Sequence, residues 1–394
     1  MNIDPDIKNK EINKISVIGA GYMGHGIAEV ALLSDYFVSL VDISEDILAK
    51  GKALIDWSLK KFVEKTQITE RRYKKLINSL DTTTNLEKGV KNAILCIEAV
   101  PEKLELKKDI FRKLDKFSPH QAILASNTST ISISEIANTT RRPEKVVGLH
   151  FSIPPVLGKV IEIVRGEKTA ESTLKFAIKF TQRTGRKFII AKDSPGFICN
   201  RIMAPSTLLI QLFLDRGEYP PSKFDAACLN MNMVMGPYEL LDYAGLDVIH
   251  DSAQYFAKHL SPDYSPTHTI SKLVKENKLG RKTGEGIYKW RSGGRRPFID
   301  LSDPADFDPI DLMRVQINEA AKVLEEGIGT VDDIDIGMKC YYLNPWGPFE
   351  LLEHMDLDEL TVFLDTLAEK YGKEVFRAHK WIRDKTLLSR VHNR

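Results

Sequence analysis

An apolar run, Ile15–Ile18, leads into Gly19-Ala20-Gly21-Tyr22-Met23-Gly24, and an amphipathic stretch, Gly24–Leu33, follows. Glycines at these spacings between a strand and a helix restrict the chain severely. Gly19 permits a tight bend, Gly21 lets the backbone come close to a bound group, and Gly24 lets the helix pack against the strand. The helix that opens there offers free N–H groups and the positive end of its dipole, so the natural occupant of the turn carries phosphate. A second apolar run, Tyr36–Val41, completes a strand–helix–strand unit, which argues for a parallel sheet with crossover helices.

Asp42 follows that second run in SLVDIS. An acid about 20 residues beyond such a turn accepts hydrogen bonds from the ribose hydroxyls of an adenine dinucleotide and repels a 2′-phosphate. Gly19, Gly21, Tyr22, Met23, Gly24 and Asp42 are therefore expected to hold NAD as cofactor. On position alone Asp42 also reads as a surface acid ahead of a helix, with Ser44 and Asp46 as neighbouring cap residues.

A charged stretch from Glu45 to Leu80 carries an apolar stripe and suits a solvated helical hairpin lying on the sheet. Strands resume at Ala93–Glu98, Ala122–Ala125 and Val146–Phe151. Beyond about residue 190 strand signals cease, and helical segments take over at Phe197–Leu214, Lys223–Leu229, Tyr238–Tyr243 and Leu246–His259. Residues 291–309 lack periodic apolar positions and read as a linker. The chain then repeats itself: MGPYELLDYAGLD, Met235–Asp247, returns 111 residues later as WGPFELLEHMDLD, Trp346–Asp358. Gly217 with Gly327, and Asp225 with Asp335, hold nearly the same places in each copy, as a duplicated helical unit requires. The expected architecture is an α/β Rossmann-type domain over 1–190, an all-α domain over 191–290, the linker 291–309, and a degenerate second copy of the helical domain over 310–394.

At 394 residues the chain exceeds one core of ordinary size. Lys and Arg (56) nearly balance Asp and Glu (54), which supplies no electrostatic reason for a nucleic-acid or anionic-membrane partner. The four cysteines stand singly, without zinc-site spacing or disulfide density, and are expected to be reduced in a cytoplasmic protein. The start, MNIDPDIKNKEINK, lacks the apolar run of a signal peptide, and no stretch is long enough to span a membrane.

Three later segments put polar groups where a strand ends or a helix begins: SNTSTISISEIA from Ser126, VVGLHFSIPPVLGKVIEIV from Val146, and KDSPGFICNRIMAP from Lys192. With the glycine turn and KTGEGIY at Lys282–Tyr288, they make the chain resemble the L-3-hydroxyacyl-CoA dehydrogenase family, whose blocks occur in this order, over about Lys14–Trp290. The resemblance implies reversible, NAD-dependent oxidation of a (3S)-3-hydroxyacyl-CoA, of the 3-hydroxybutyryl-CoA type, in fatty-acid or short-chain acyl-CoA metabolism. Removing hydride from a secondary alcohol needs a base for the hydroxyl proton, and a neutral imidazole suits that near neutral pH. His150, at a strand end, is the candidate, with Glu162 to orient it if the chain turns through Pro154 and Pro155. By resemblance these two are the family's catalytic pair.

The resemblance further implies that Ser129 and Asn200 hydrogen-bond the reacting oxygen, where donors stabilise developing charge. It places Glu102, Lys107, Ser129 and Lys282 at the cofactor, and Ser58, Lys65 and Ser129 at the acyl-CoA substrate. Lys65 reads equally well as a solvated charge on its helix. The remaining histidines are scattered without ligand spacing, and no metal is expected. Where the family has an asparagine and a bulky apolar residue, this chain has Ile153 and Gly158. Ile153 has no side-chain donor for the nicotinamide end, and Gly158 is expected to remove volume near the acyl pocket. Two alternatives stay open: a dehydrogenase of another hydroxy acid, such as a sugar acid, and an NAD-binding relative with structural or regulatory work. Single-copy members of the family are dimers through the helical domain, so a monomer with an intrachain pseudo-dimer, or a homodimer, is expected.

Overall fold

The computed structural model describes residues 13–291, 294–342 and 344–392. The polar N-terminal stretch read above lies almost wholly outside them. The chain divides into two compact units, 1–194 and 195–394.

The first unit is built on one eight-stranded sheet among the described residues, in the order β3-β2-β1-β4-β5-β6-β7-β8. Its first half comprises β1 (Lys14–Ile18), α1 (Tyr22–Leu33), β2 (Phe37–Val41), α2 (Glu45–Glu64), α3 (Glu70–Asn78) and β3 (Leu80–Thr83). The second half comprises α4 (Leu86–Val90), β4 (Leu95–Glu98), α5 (Leu104–Phe117), β5 (Ile123–Ser126), α6 (Ile133–Ala137), β6 (Val146–Phe151), β7 (Val160–Arg165), α7 (Glu171–Arg183) and β8 (Lys187–Lys192).

β1 pairs in parallel with both β2 and β4, so the strand order reverses beside β1, and ligands bind outside the strand C-termini at such a point. The central strands are buried on both faces because helices cover both: Ile15, Val17, Leu40, Ile97 and Ala125 lie on one face, and Cys96 and Leu124, with the buried hydroxyls of Ser16 and Ser39, on the other. α1 follows from its own composition: Ile27, Ala28, Val30, Ala31 and Leu32 are buried, leaving little polar face.

The charged stretch is the expected pair of helices, restarted at Thr69, whose hydroxyl accepts the Arg72 N–H. Three features depart from the sequence expectation. The last residue of that stretch begins edge strand β3. β7 runs antiparallel to β6, and β8 parallel to β7. β3 and β8 gave no distinct pattern, β3 being a four-residue edge strand and β8 an edge strand with charged ends.

The second unit is helical: α8 (Cys199–Arg216), α9 (Pro221–Asn230), α10 (Pro237–Ala244), α11 (Leu246–His259) and α12 (His268–Lys275), then α13 (Ile310–Glu325), α14 (Val331–Tyr341), α15 (Pro348–Leu352), α16 (Leu357–Tyr371), α17 (Lys380–Arg383) and α18 (Leu387–His392). Corresponding residues do corresponding work. Gly217 and Gly327, just past α8 and α13, both take a left-handed φ, 62° and 63°, which suits glycine after a helix. Asp225 accepts the backbone N–H of Tyr238 at 2.9 Å, and Asp335 that of Phe349 at 2.9 Å. In both places the carboxylate occupies the space a Cβ would need at the preceding glycine, Gly236 or Gly347.

The two copies pack on each other through α8 and α13. Buried Arg201 is bound by Glu319 at 3.0 Å and by Glu326 at 2.6 Å, and these carboxylates hold its guanidinium charged against the cost of burial. The connecting segment is polar but pinned: Phe307 stacks among Phe213, Tyr219 and Phe224, and Arg296 pairs with buried Glu239.

Candidate active site

In the first unit the chemistry-bearing residues gather at the strand C-termini. At the glycine turn, Gly19 has φ +100°, and a Cβ there would lie 2.6 Å from the Ala99 carbonyl oxygen. A Cβ on Gly24 would lie 1.8 Å from the Gly19 oxygen, so helix and turn can touch only through glycine. A Cβ on Gly21 would meet no protein atom within 4 Å. That open side, at the start of α1, leaves room for a pyrophosphate against the backbone. Tyr22 is exposed, whereas the Met23 side chain packs on the sheet core. Asp42 Oδ2 accepts the Ala20 N–H at 2.7 Å, which places the carboxylate beside the turn. These residues fit an adenine dinucleotide.

Glu98 ends β4, completely buried. It accepts from Lys107 Nζ at 2.7 Å, the Val100 N–H at 2.7 Å and the Ser126 hydroxyl at 2.6 Å. Lys107 also reaches Glu102 at 3.1 Å, and Glu102 accepts from the Thr128 hydroxyl and from the N–H groups of Ser129 and Thr130. Burial works against both charges of the Lys107–Glu102 pair, but their mutual attraction outweighs it. The Glu102 carboxyl is held below its ordinary range, and Glu98 and Glu102 raise Lys107 above its own. The net thus formed fixes the loop that carries Ser129. Glu98 was not anticipated from sequence; its one signal is an acid closing a fully apolar strand.

β6 and β7 supply the candidate catalytic pair. Their antiparallel register sets His150 directly opposite Glu162, and His150 Nδ1 lies 2.8 Å from Glu162 Oε2, with both side chains buried. Asn127 Oδ1 accepts the Phe151 N–H at 3.0 Å, tying the end of β6 to the loop after β5. Asn127 is a second residue the sequence reading passed over, although it stands within the SNTST block.

Residues 14–194 match the 3-hydroxyacyl-CoA dehydrogenase NAD binding domain, and residues 196–290 and 312–393 match the 3-hydroxyacyl-CoA dehydrogenase C-terminal domain. The chain belongs to the 3-hydroxyacyl-CoA dehydrogenase family. It is thus an oxidoreductase with NAD as cofactor. Hydroxyacyl-coenzyme A dehydrogenase of Sus scrofa mitochondria is 39% identical over 289 residues, covering 71% of this chain and 92% of that protein. 3-Hydroxybutyryl-CoA dehydrogenase of Bradyrhizobium diazoefficiens is 37% identical over 288 residues, covering 73% and 97%. The crystal structure of 3-hydroxybutyryl-CoA dehydrogenase from Escherichia coli superposes with a TM-score of 0.85 at 26% identity, covering 97% of this chain and 100% of that one. That last likeness extends over both helical copies.

The other residues suggested by resemblance to this family have the following surroundings. Ser58, on α2, lies beside Glu29 of α1, near enough to favour the charged form of its carboxyl. Glu29 is buried, and its Oε1 has no partner among the described residues; burial pushes its carboxyl up to about 7, opposed by Ser58. Lys65 caps the C-terminus of α2 and is exposed. In the helical unit Asn200 lies in the first turn of α8, and its Oδ1 accepts from the Tyr342 hydroxyl at 2.6 Å. Lys282 is ion-paired with Asp247. Ile153 is 55% exposed, and the expected opening at Gly158 is partly filled, since a Cβ there would lie 2.2 Å from the Ser152 hydroxyl oxygen. Among the described residues no cluster of three or more His, Cys, Asp or Glu is placed to hold a metal, and no helix is long and apolar enough to cross a membrane.

Proposed function

We propose that this dehydrogenase oxidises (3S)-3-hydroxyacyl-CoA reversibly to 3-oxoacyl-CoA, with His150 as the base. The observation that carries this reading is the buried 2.8 Å contact between His150 and Glu162 at the same sheet edge as the glycine turn. The Glu162 carboxylate accepts the proton on His150 Nδ1, which leaves the lone pair on Nε2 to take the hydroxyl proton. The same carboxylate stabilises the imidazolium that results, and the proton returns in the reverse direction. NAD, when bound, accepts the hydride from C3 of the substrate. Donors from Ser129 and Asn200 stabilise the charge developing on the oxygen.

Asp42 holds the adenosine ribose, and its charge disfavours a 2′-phosphate. Glu102 and Lys107 serve the cofactor side through the Ser129 loop that they hold, and Lys282, ion-paired with Asp247, is read as a further cofactor residue. Ser58 and Lys65 meet the CoA portion, where a cation suits phosphate. We read the two helical copies as an intrachain pair standing where two subunits would otherwise meet, and the four free cysteines as suited to the reducing cytoplasm. An isolated segment 1–290 that is monomeric and fully active would contradict the intrachain pair.

The test is NADH formation from 3-hydroxybutyryl-CoA and longer 3-hydroxyacyl-CoA esters, set against free hydroxy acids. Turnover of the CoA esters is expected. Turnover of free acids alone, or NAD binding without turnover of any ester, would overturn the assignment.

A further inference from the structure

Helix α2 of the first unit buries Leu48, Gly51, Ile55 and Leu59 on one side and presents an apolar and basic face on another. On that face Trp57 is 61% exposed and Leu54 47% exposed, and Lys50, Lys61 and Lys65 stand around them at helical spacing. We propose that Trp57 stacks on the adenine of the substrate's CoA, so that α2 selects the CoA ester over the same acyl group on a shorter pantetheine thioester. The proposal rests on the reading above of Ser58 and Lys65 as CoA contacts.

The chemistry of the face suits a flat base that carries phosphate. An indole in water gains by stacking on any base, whatever polar groups line the base's edge. The acids of this helix are already engaged: Asp56 pairs with Lys60 at 2.8 Å and accepts the Tyr73 hydroxyl of α3 at 2.6 Å, and Glu64 binds Lys61 at 2.6 Å. Lys50 and Lys65 make no ion pair among the described residues, and a phosphate answers them. A bare phosphate would leave the indole in water, and an alkyl chain would leave the lysines unanswered.

The helix also sets the face at the right place in the first unit. Gly51 packs on the glycine turn, since a Cβ there would lie 3.0 Å from the Ala20 carbonyl oxygen and 3.6 Å from the His25 Cβ. Ser58 and Lys65 follow at intervals of seven residues, on nearly the same stripe as Gly51, and Trp57 stands about 100° round the helix from Ser58, toward solvent. A nucleotide that contacts Ser58 and Lys65 therefore has the indole beside it. The adenine of NAD is a poor rival for this place. Asp42 precedes α2, and Trp57 lies about 18 Å along the axis from Glu45, where the helix begins.

The experiment measures KM and kcat with NADH for acetoacetyl-CoA and for acetoacetyl-pantetheine, which lacks the nucleotide, in the full chain and its Trp57→Phe and Trp57→Ala variants. Trp57→Ala is expected to lower the ratio of kcat/KM for the CoA ester to that for the pantetheine ester about five- to fiftyfold, through KM. Trp57→Phe, which keeps a ring, is expected to restore most of the ratio. The position is exposed, so folding should tolerate both changes. A ratio unchanged in Trp57→Ala overturns the adenine subsite, and so does a loss that appears in the KM for NADH instead. Should Trp57→Ala dissociate a dimer, or release the protein from anionic lipid vesicles, with the ratio retained, a second chain or a membrane would be the occupant and the proposal would fall. Wild-type protein that reduces acetoacetyl-CoA while the ratio stays fixed across the variants refutes only the subsite; wild-type protein that reduces neither ester refutes the dehydrogenase reading itself.

Discussion

His150 Nδ1 and Glu162 Oε2 stand 2.8 Å apart across the sheet's antiparallel pair, β6 and β7, as direct cross-strand neighbours. Both side chains are buried and held by the strand register, so in the proposed mechanism the carboxylate orients the imidazole before any substrate arrives. Pre-organisation of this kind costs no rearrangement at the moment of proton transfer. His150→Ala should abolish turnover and leave NAD binding intact by fluorescence titration. Glu162→Gln should lower kcat on the order of 10²–10⁴-fold, because an amide can neither fix the ring as firmly nor balance the imidazolium. Retained turnover in His150→Ala would remove the base from this mechanism.

Asp42 accepts the Ala20 N–H with one oxygen, and in the proposed function its carboxylate holds the adenosine ribose. Asp42→Asn should raise the KM for NAD about 10–100-fold, the equivalent of losing one or more charge-assisted hydrogen bonds. The same change should narrow the preference over NADP, which steady-state kinetics with both cofactors would show. An unaltered preference would mean that selection lies elsewhere.

Glu29 is a buried carboxyl whose pKa is raised to about 7. A raised folded-state value means that the folded protein binds the proton more tightly than the unfolded chain. The stabilisation is therefore complete below about 4.5, the ordinary glutamate value, and is lost as pH rises through about 7. Glu29→Gln keeps a polar group beside Ser58 and removes the titration. The variant should melt higher than wild type above neutral pH, by about 2–4 °C for each kcal/mol recovered, and the gap should close on acidification. Parallel melting curves across that range would contradict the assignment.

Gly236 and Gly347 each give up side-chain space to an aspartate that holds the next helix. A Cβ at Gly236 would come 2.3 Å from the Asp225 carboxyl carbon, and one at Gly347 would come 2.3 Å from Asp335 Oδ1. Gly236→Ala and Gly347→Ala should each destabilise the helical unit by about 1–3 kcal/mol through overpacking, measured by chemical denaturation. Gly185→Ala is the steric contrast: it meets no neighbouring atom, so any loss there comes from its positive φ.

Much of this site was readable from local pattern. The turn at Gly19–Gly24 and the acid at Asp42 follow from steric and electrostatic demands that a few consecutive residues meet. The duplication was readable as well, because Asp225 and Asp335 recur with the glycines they crowd. Glu98 and Asn127 escaped notice because their partners lie on other elements. Glu98 binds Ser126, 28 residues on, and Asn127 takes the N–H of Phe151, 24 residues on. The crowding at Gly158 was likewise not legible: a Cβ there would meet the Ser152 hydroxyl, a contact set by how the intervening loop turns.

By itself, the sequence determined the glycine turn between strand and helix, the acid that follows the second strand, and the repeated helical unit, because each depends on spacing along the chain. The tertiary structure decided the rest. Only the antiparallel return of β7 brings Glu162 against His150, and only the packing of the second copy on the first brings the Tyr342 hydroxyl to Asn200, 142 residues away. Register and packing are set by burial of whole faces, and no local run of residues carries that information.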